Sequence, residues 1–165
     1  LQMAVVTSAI ANGGTVYWPR LVDRIEPPDL GPGQQPVRFP AGRVRDRLGV
    51  RANSLRELHL AMLADTEDPE ATAYKPFREY YQTPGAMRVC GKTGTADVAD
   101  EHNRQVGKNT WFIAFAPYDQ PKYAVVVMVE DVGSGGSTCA PVARDIFKAL
   151  QLRETTEHNL VARQD

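Results

Sequence analysis

Two short apolar stretches, joined by four residues, constrain the fold more than anything else in the chain. Residues 110–117 read Thr-Trp-Phe-Ile-Ala-Phe-Ala-Pro, and residues 122–130 carry Val125-Val126-Val127-Met128-Val129. Both runs are rich in β-branched and aromatic residues, as strands are, and an unbroken apolar run is the mark of a strand covered on both faces. Only Tyr118-Asp119-Gln120-Pro121 lies between them, and a connection that short makes the pair an antiparallel hairpin. A glycine- and serine-rich loop at 133–137 follows, and then a helix. Pro141 stands near its first turn, and Val142, Ile146 and Leu150 recur every four residues down one face.

At 165 residues the chain is one domain's worth, able to bury roughly 70% of its unfolded surface. Its net charge of −1 gives no reason to expect nucleic acid or an acidic membrane as partner. It holds no apolar run of the ~20 residues a spanning helix needs, and no signal peptide. It starts at Leu1, inside an expected helix and without an initiator methionine, so it reads as a portion of something longer. Cys90 and Cys139 are too few for a disulfide framework or a metal site and are expected to be buried free thiols. His59, His102 and His158 lack ligand spacing. No metal or other cofactor is expected.

The first half is less regular. Residues 1–11 are apolar nearly all round, which predicts a helix buried on most sides, stopped by Asn12-Gly13-Gly14. Residues 15–25 look extended, but Pro19 keeps any strand there short or at an edge. Prolines 27, 28, 32, 36 and 40 mark residues 26–42 as an irregular excursion, and 37–48 could form a weak hairpin. Ser54-Leu55-Arg56-Glu57 has the spacing of a capping box and would open a helix running to about Ala64. A short helix is expected after Pro69, and Tyr74, Phe77, Tyr80 and Tyr81 are expected to form a satellite packing cluster. Residues 97–109 read as a polar loop, and 153–165 as a polar, disordered tail.

The chemistry is concentrated in Ala86-Met87-Arg88-Val89-Cys90-Gly91-Lys92-Thr93-Gly94-Thr95-Ala96. This is a strand signal after the turn Pro84-Gly85, with glycines where a ligand or another backbone comes close. Lys92 supplies a cation, and Thr93 and Thr95 supply hydroxyls that can bond a carboxylate. Gly91-Lys92-Thr93 matches the end of a phosphate-binding loop, but the pattern needs glycine at position 86, which is alanine, and a helix straight after. The residues of this stretch leave two readings level. One is a glycine-kinked strand with an exposed lysine; the other is the Lys-Thr-Gly element of serine acyltransferases that act on D-alanyl peptides and β-lactams.

The order of four segments breaks the tie. The helix ending Ala11-Asn12-Gly13-Gly14, the Gly91-Lys92-Thr93-Gly94-Thr95-Ala96 strand, the 110–117 strand, and Gly135-Gly136-Ser137 leading to Ala140-Pro141-Val142 together resemble the C-terminal half of a penicillin-binding transpeptidase domain. The class B, monofunctional branch is the most similar, with the bifunctional branch and the class D β-lactamase-like sensors as the alternatives. The resemblance implies an α+β fold, a part of the penicillin-binding transpeptidase and serine β-lactamase-like architecture. Its antiparallel sheet would take residues 86–96, 110–117 and 122–130 in that order, with the Lys92 strand at an edge and the last helix packed on the sheet. Residues 1–152 would be the C-terminal portion of the transpeptidase domain.

The resemblance also implies a function: cross-linking of peptidoglycan stem peptides through a serine acyl-enzyme, on the outer (periplasmic) face of the bacterial cytoplasmic membrane. Lys92 and Thr95 would be catalytic residues, and Thr93, Gly94 and Thr95 would bind the substrate or β-lactam. The backbone N–H of Thr95 would form half of the oxyanion hole. Here the sequence departs from the family, for no serine has lysine three residues on, and no S-x-N or Y-x-N occurs. In the family both motifs lie upstream, so the chain is expected to need a complementing upstream half, or to self-associate through uncovered surface. A non-catalytic β-lactam-sensor or binding module of the same fold is the alternative.

Overall fold

The structure is a computed structural model and describes residues 1–26, 35–130 and 133–161. Helix α1 (Gln2–Ala11) stops where the sequence predicts. Gly13 and Gly14 take φ of 86° and 101°, a region open to glycine, and the Asn12 amide brackets the turn through both the N–H and the C=O of Thr15. The helix is not buried on most sides. Only Thr7 and Ala9 are buried, while Leu1, Met3 and Val6 are 68%, 36% and 42% exposed. Among the described residues it is covered on the side facing the sheet, the first strand and residues 59–63.

The next segment corrects the expected 37–48 hairpin. Strand β1 (Thr15–Tyr17) pairs with β4 (Val44–Arg47), and β2 (Arg24–Ile25) pairs with β3 (Val37–Arg38), both antiparallel. The segment therefore folds back on itself in two nested pairs, and β1 ends before Pro19 as a short strand should. Of the proline-rich excursion, residues 27–34 lie outside the described residues.

Helix α2 (Ala52–Glu67) has Arg51 as its N-cap with no side-chain cap bond, so Ser54 lies inside the first turn and the capping box does not form. The helix also runs past Ala64, because its last turn is anchored. The buried Thr66 hydroxyl lies 2.6 Å from Val89 O and 2.7 Å from the Tyr81 hydroxyl. Helix α3 (Tyr74–Arg78) has Pro76, not Pro69, in its first turn, and a 3₁₀ turn follows at Tyr80–Gln82. The aromatics are no satellite: Phe77 and Tyr80 belong to the main core, with Phe77 stacked 5.8 Å from Phe112.

Three strands form the sheet, β5 (Cys90–Ala99), β6 (Gln105–Ala116) and β7 (Tyr123–Glu130), antiparallel and in the order β5-β6-β7. The middle strand and the edge position of the Lys92 strand agree with expectation. Two bounds differ. Strand β5 begins at Cys90 rather than at residue 86, and the pairing continues through most of the expected polar loop to a tip at 100–104. Asp100 closes that tip, accepting from the backbone N–H groups of His102 and Arg104 and from Arg104 Nε. These bonds hold its carboxyl below the usual carboxylate range.

One sheet face, with Val89, Phe112, Ala114, Ala116 and Val125, packs on Phe77, Cys139, Ala143 and Phe147. The other places Cys90, Ile113 and Phe115 against Met62 and Leu63 of α2 and Ile10 of α1. A wide five-residue turn, Gly135–Cys139, leads into helix α4 (Ala140–Val161) and is capped reciprocally by Ser134 and Ser137. Helix α4 runs on through the segment expected to be a disordered tail, secured where Glu154 meets Lys122 Nζ at 3.0 Å and the Tyr123 hydroxyl at 2.9 Å. Residues 162–165 lie outside the described residues. Both cysteines are free and buried, and His59 is structural, its Nε2 2.8 Å from Ile10 O and its ring 4.8 Å from Phe115. No helix among the described residues is long and apolar enough to cross a membrane.

Candidate functional site

Strand β5 is locked to β6 with Lys92 opposite Ile113, Thr93 opposite Phe112, Gly94 opposite Trp111 and Thr95 opposite Thr110. Alternation puts Thr93 and Thr95 on the α3/α4 side of the sheet and Lys92 on the α1/α2 side. The edge position reunites them. The exposed Lys92 side chain turns over the rim, with Nζ 2.7 Å from Thr93 O and 3.5 Å from Thr93 Oγ1.

The backbone of β5 shares that rim. The N–H of Thr93 points away from β6 and donates to Asp65 Oδ2 at 3.2 Å. In an antiparallel pair such outward groups recur every second residue, so the N–H and C=O of Thr95 also face the open edge. An exposed cation, an exposed hydroxyl at Thr95, the partly exposed Thr93 and outward-facing backbone groups thus converge on one strip of surface. Such an edge can take an extended chain as an added strand while fixed donors hold an anionic group.

The glycines here are set by close packing. A Cβ on Gly91 would lie 2.3 Å from Phe112 Cζ. Gly135 rests directly on the sheet backbone, where a Cβ would meet Trp111 O at 2.2 Å and Gly94 N and O at 2.9 Å. Gly136 is pressed against Thr72 O, 2.5 Å from where its Cβ would stand. Gly94 differs, since its Cβ would meet only Trp111 Cβ at an ordinary 3.5 Å. The turn before α4 therefore supports the Lys92 strand from behind.

Two neighbours were not legible in the sequence. Asp65, near the end of α2, and Thr72, in the loop after it, join the rim: Thr72 Oγ1 lies 2.8 Å from Asp65 Oδ1 and 2.7 Å from Thr93 Oγ1. Beside them an open groove of about 590 Å³ runs between α2 and the sheet, lined by Ile10, Leu58, Met62, Ala71, Lys92 and Ile113 among others. Among the described residues no group of three or more His, Cys, Asp or Glu side chains could hold a metal ion.

Residues 1–148 match the family model for the penicillin binding protein transpeptidase domain. The chain is 29% identical to the peptidoglycan D,D-transpeptidase MrdA of Haemophilus influenzae, across 99% of this chain and 26% of that protein. It is 33% identical to the peptidoglycan D,D-transpeptidase PbpA of Mycolicibacterium smegmatis, across 93% of this chain and 29% of that protein. Among solved structures it resembles penicillin-binding protein A of Mycobacterium tuberculosis in its ceftriaxone acyl-enzyme complex. The TM-score is 0.64 at 30% identity, covering 88% of this chain and 31% of that one. The chain thus spans a little over a quarter of the length of those curated relatives.

Proposed function

The chain belongs to the penicillin-binding protein transpeptidase family, and on that premise we propose that it is the C-terminal portion of a peptidoglycan D,D-transpeptidase domain, residues 1–152 forming that portion. The whole protein would cross-link stem peptides by acyl transfer through a serine, at the outer face of the cytoplasmic membrane, where its substrate lies. The observation that carries this reading is the β5 rim, where Lys92, Thr93 and the outward backbone of Thr95 share one open edge. Lys92 supplies a fixed cation that lines the site and hydrogen-bonds the serine of the second motif, S-x-N. Thr93 and Thr95 hold the carboxylate of the stem peptide or β-lactam. The N–H of Thr95 provides half of the oxyanion hole, a donor in place before charge develops on the carbonyl oxygen. Gly94 keeps the strand face clear for a substrate lying along it.

This sequence holds neither S-x-x-K nor S-x-N, so the nucleophile and its base come from elsewhere in the whole protein. The exposed apolar side of α1 and the far edge of β7, unpaired among the described residues, are surfaces suited to that complementing part or to self-association. Labelling with a fluorescent penicillin tests the reading, using the 165-residue chain, the full-length protein and its Lys92→Ala variant side by side. The chain alone should stay unlabelled, for want of a nucleophile. The full-length protein should label, and the variant should label about a hundredfold more slowly or worse. Stoichiometric labelling of the chain, or an unchanged rate in the variant, refutes the assignment. A full-length protein that binds but never acylates identifies a non-catalytic sensor instead.

A further inference from the structure

We propose that Asp65, acting through Thr72, sets the direction in which the Thr93 hydroxyl donates, and thereby limits how strongly the β5 rim holds an anionic ligand. The inference rests on the reading of that rim as the stem-peptide and β-lactam site. It follows from counting protons. An ionised carboxylate only accepts hydrogen bonds, and a threonine hydroxyl has one proton to give. Asp65 Oδ2 takes the backbone N–H of Thr93 at 3.2 Å, and Oδ1 takes the Thr72 hydroxyl proton at 2.8 Å. The proton of Thr72 is then spent. In its 2.7 Å contact with Thr93 Oγ1, Thr93 must be the donor.

Thr93 accordingly turns lone pairs outward, toward Lys92 Nζ at 3.5 Å, and must give up its bond to Thr72 before its proton can reach a ligand carboxylate. An arriving anion finds the Lys92 cation and the Thr95 hydroxyl ready, whereas Thr93 joins them only at the cost of its hydrogen bond to Thr72. Asp65 and Thr72 are thus positioning residues, acting on the ligand through Thr93.

Asp65→Asn should reverse the relay. The Thr93 N–H still needs an acceptor, so the amide oxygen turns to it and the amide NH₂ is left to donate to Thr72. Thr72 then donates to Thr93, whose own proton becomes free to point outward. Thr72→Val should free the same proton by another route, cutting the link while leaving the Asp65 charge in place. Thr72 is exposed, so the substitution leaves the core untouched.

The test compares acylation of the full-length protein and both variants by benzylpenicillin, which carries a carboxylate, and by its neutral methyl ester. Both variants should raise the second-order rate for benzylpenicillin relative to the ester about tenfold, the worth of one hydroxyl bond to a charged acceptor. A gain with Asp65→Asn but none with Thr72→Val would mean that charge removal alone acts, and overturns the relay. So would equal changes for both ligands, or no change. Protein labelled with ¹⁵N-threonine gives a readout that needs no acylation: Asp65→Ala should move the Thr93 amide proton upfield as its carboxylate partner is lost. An unmoved Thr93 amide overturns the proposal. If neither ligand acylates the full-length protein, the transpeptidase reading fails, and an unmoved Thr93 amide still overturns the proposal by itself, because Asp65 would then not hold Thr93 at all.

Discussion

Replacing Gly135 by alanine should strain the molecule where the entry to α4 presses on the Lys92 strand. The new Cβ would sit 2.2 Å from Trp111 O and 2.9 Å from Gly94 N and O, where ordinary contact begins at 3.4 Å. All three obstacles are backbone atoms, so no rotamer change relieves the clash. The turn must withdraw from the sheet by roughly 1 Å in an interior packed like a crystal. It is not free to do so, because Cys139 Sγ lies 3.3 Å from Thr110 O and Ala140, Ala143 and Phe147 are wholly buried. Overpacking of this kind destabilises by about 1–3 kcal/mol, and obstacles made of backbone place this case near the top of that range. Gly135 does not have a positive φ, so alanine is conformationally acceptable there and the loss reports sterics alone. Urea unfolding of full-length protein, followed by tryptophan fluorescence, measures it. Gly94→Ala is the built-in contrast, since its Cβ meets only Trp111 Cβ at 3.5 Å. It should leave the urea midpoint nearly unchanged and slow acylation instead. A Gly135→Ala protein within about 0.5 kcal/mol of wild type, the ordinary scatter of harmless substitutions, refutes the reasoning.

Two further outcomes are expected. Burial pushes the Cys90 thiol up to about 12, so iodoacetamide at pH 8 should leave it unmodified in the native protein and alkylate it in urea; fast native alkylation contradicts this. Lys122 and Tyr123 hold the Glu154 carboxyl below its ordinary value, so their contacts add stability above the unfolded-state pKa of about 4.3 and lose it as pH falls through the lowered folded value. Glu154→Gln should therefore lower the melting temperature slightly at pH 7, as befits a surface pair, with the difference closing in acid; a difference that widens in acid contradicts it.

What the sequence reveals here follows from where the physics is local. The β6–β7 hairpin is legible because its apolar residues are consecutive and its turn is short. The edge position of Lys92 follows once three strands are placed in order. Residues 97–109 are misleading because the far arm of β5–β6 projects beyond the core. Ala96, Asp97, Gln105 and Val106 are all exposed, so burial imposes no alternation and polarity imitates a loop. Ser54 and Glu57 have the spacing of a capping box, but the helix begins earlier and the reciprocal cap forms at Ser134 and Ser137. Asp65 is invisible for a different reason. Its partner at Thr93 lies 28 residues away, and an acidic residue late in a helix carries no local sign of what it will meet.

The register of β5 also bears on how such a chain can change length. Its cation and its hydroxyls leave the strand on opposite faces, with Lys92 across from Ile113 and Thr93 across from Phe112. Inserting a single residue between Cys90 and Lys92 would swap the faces, driving a lysine toward the phenylalanine-lined core and turning the threonines to the groove. Strand length is thus subject to a parity rule, with odd insertions forbidden and even ones merely displacing the site along the rim. The tip at 100–104, held by Asp100 and with residues 101–104 exposed, escapes that rule, and drift in length along this hairpin should accumulate there.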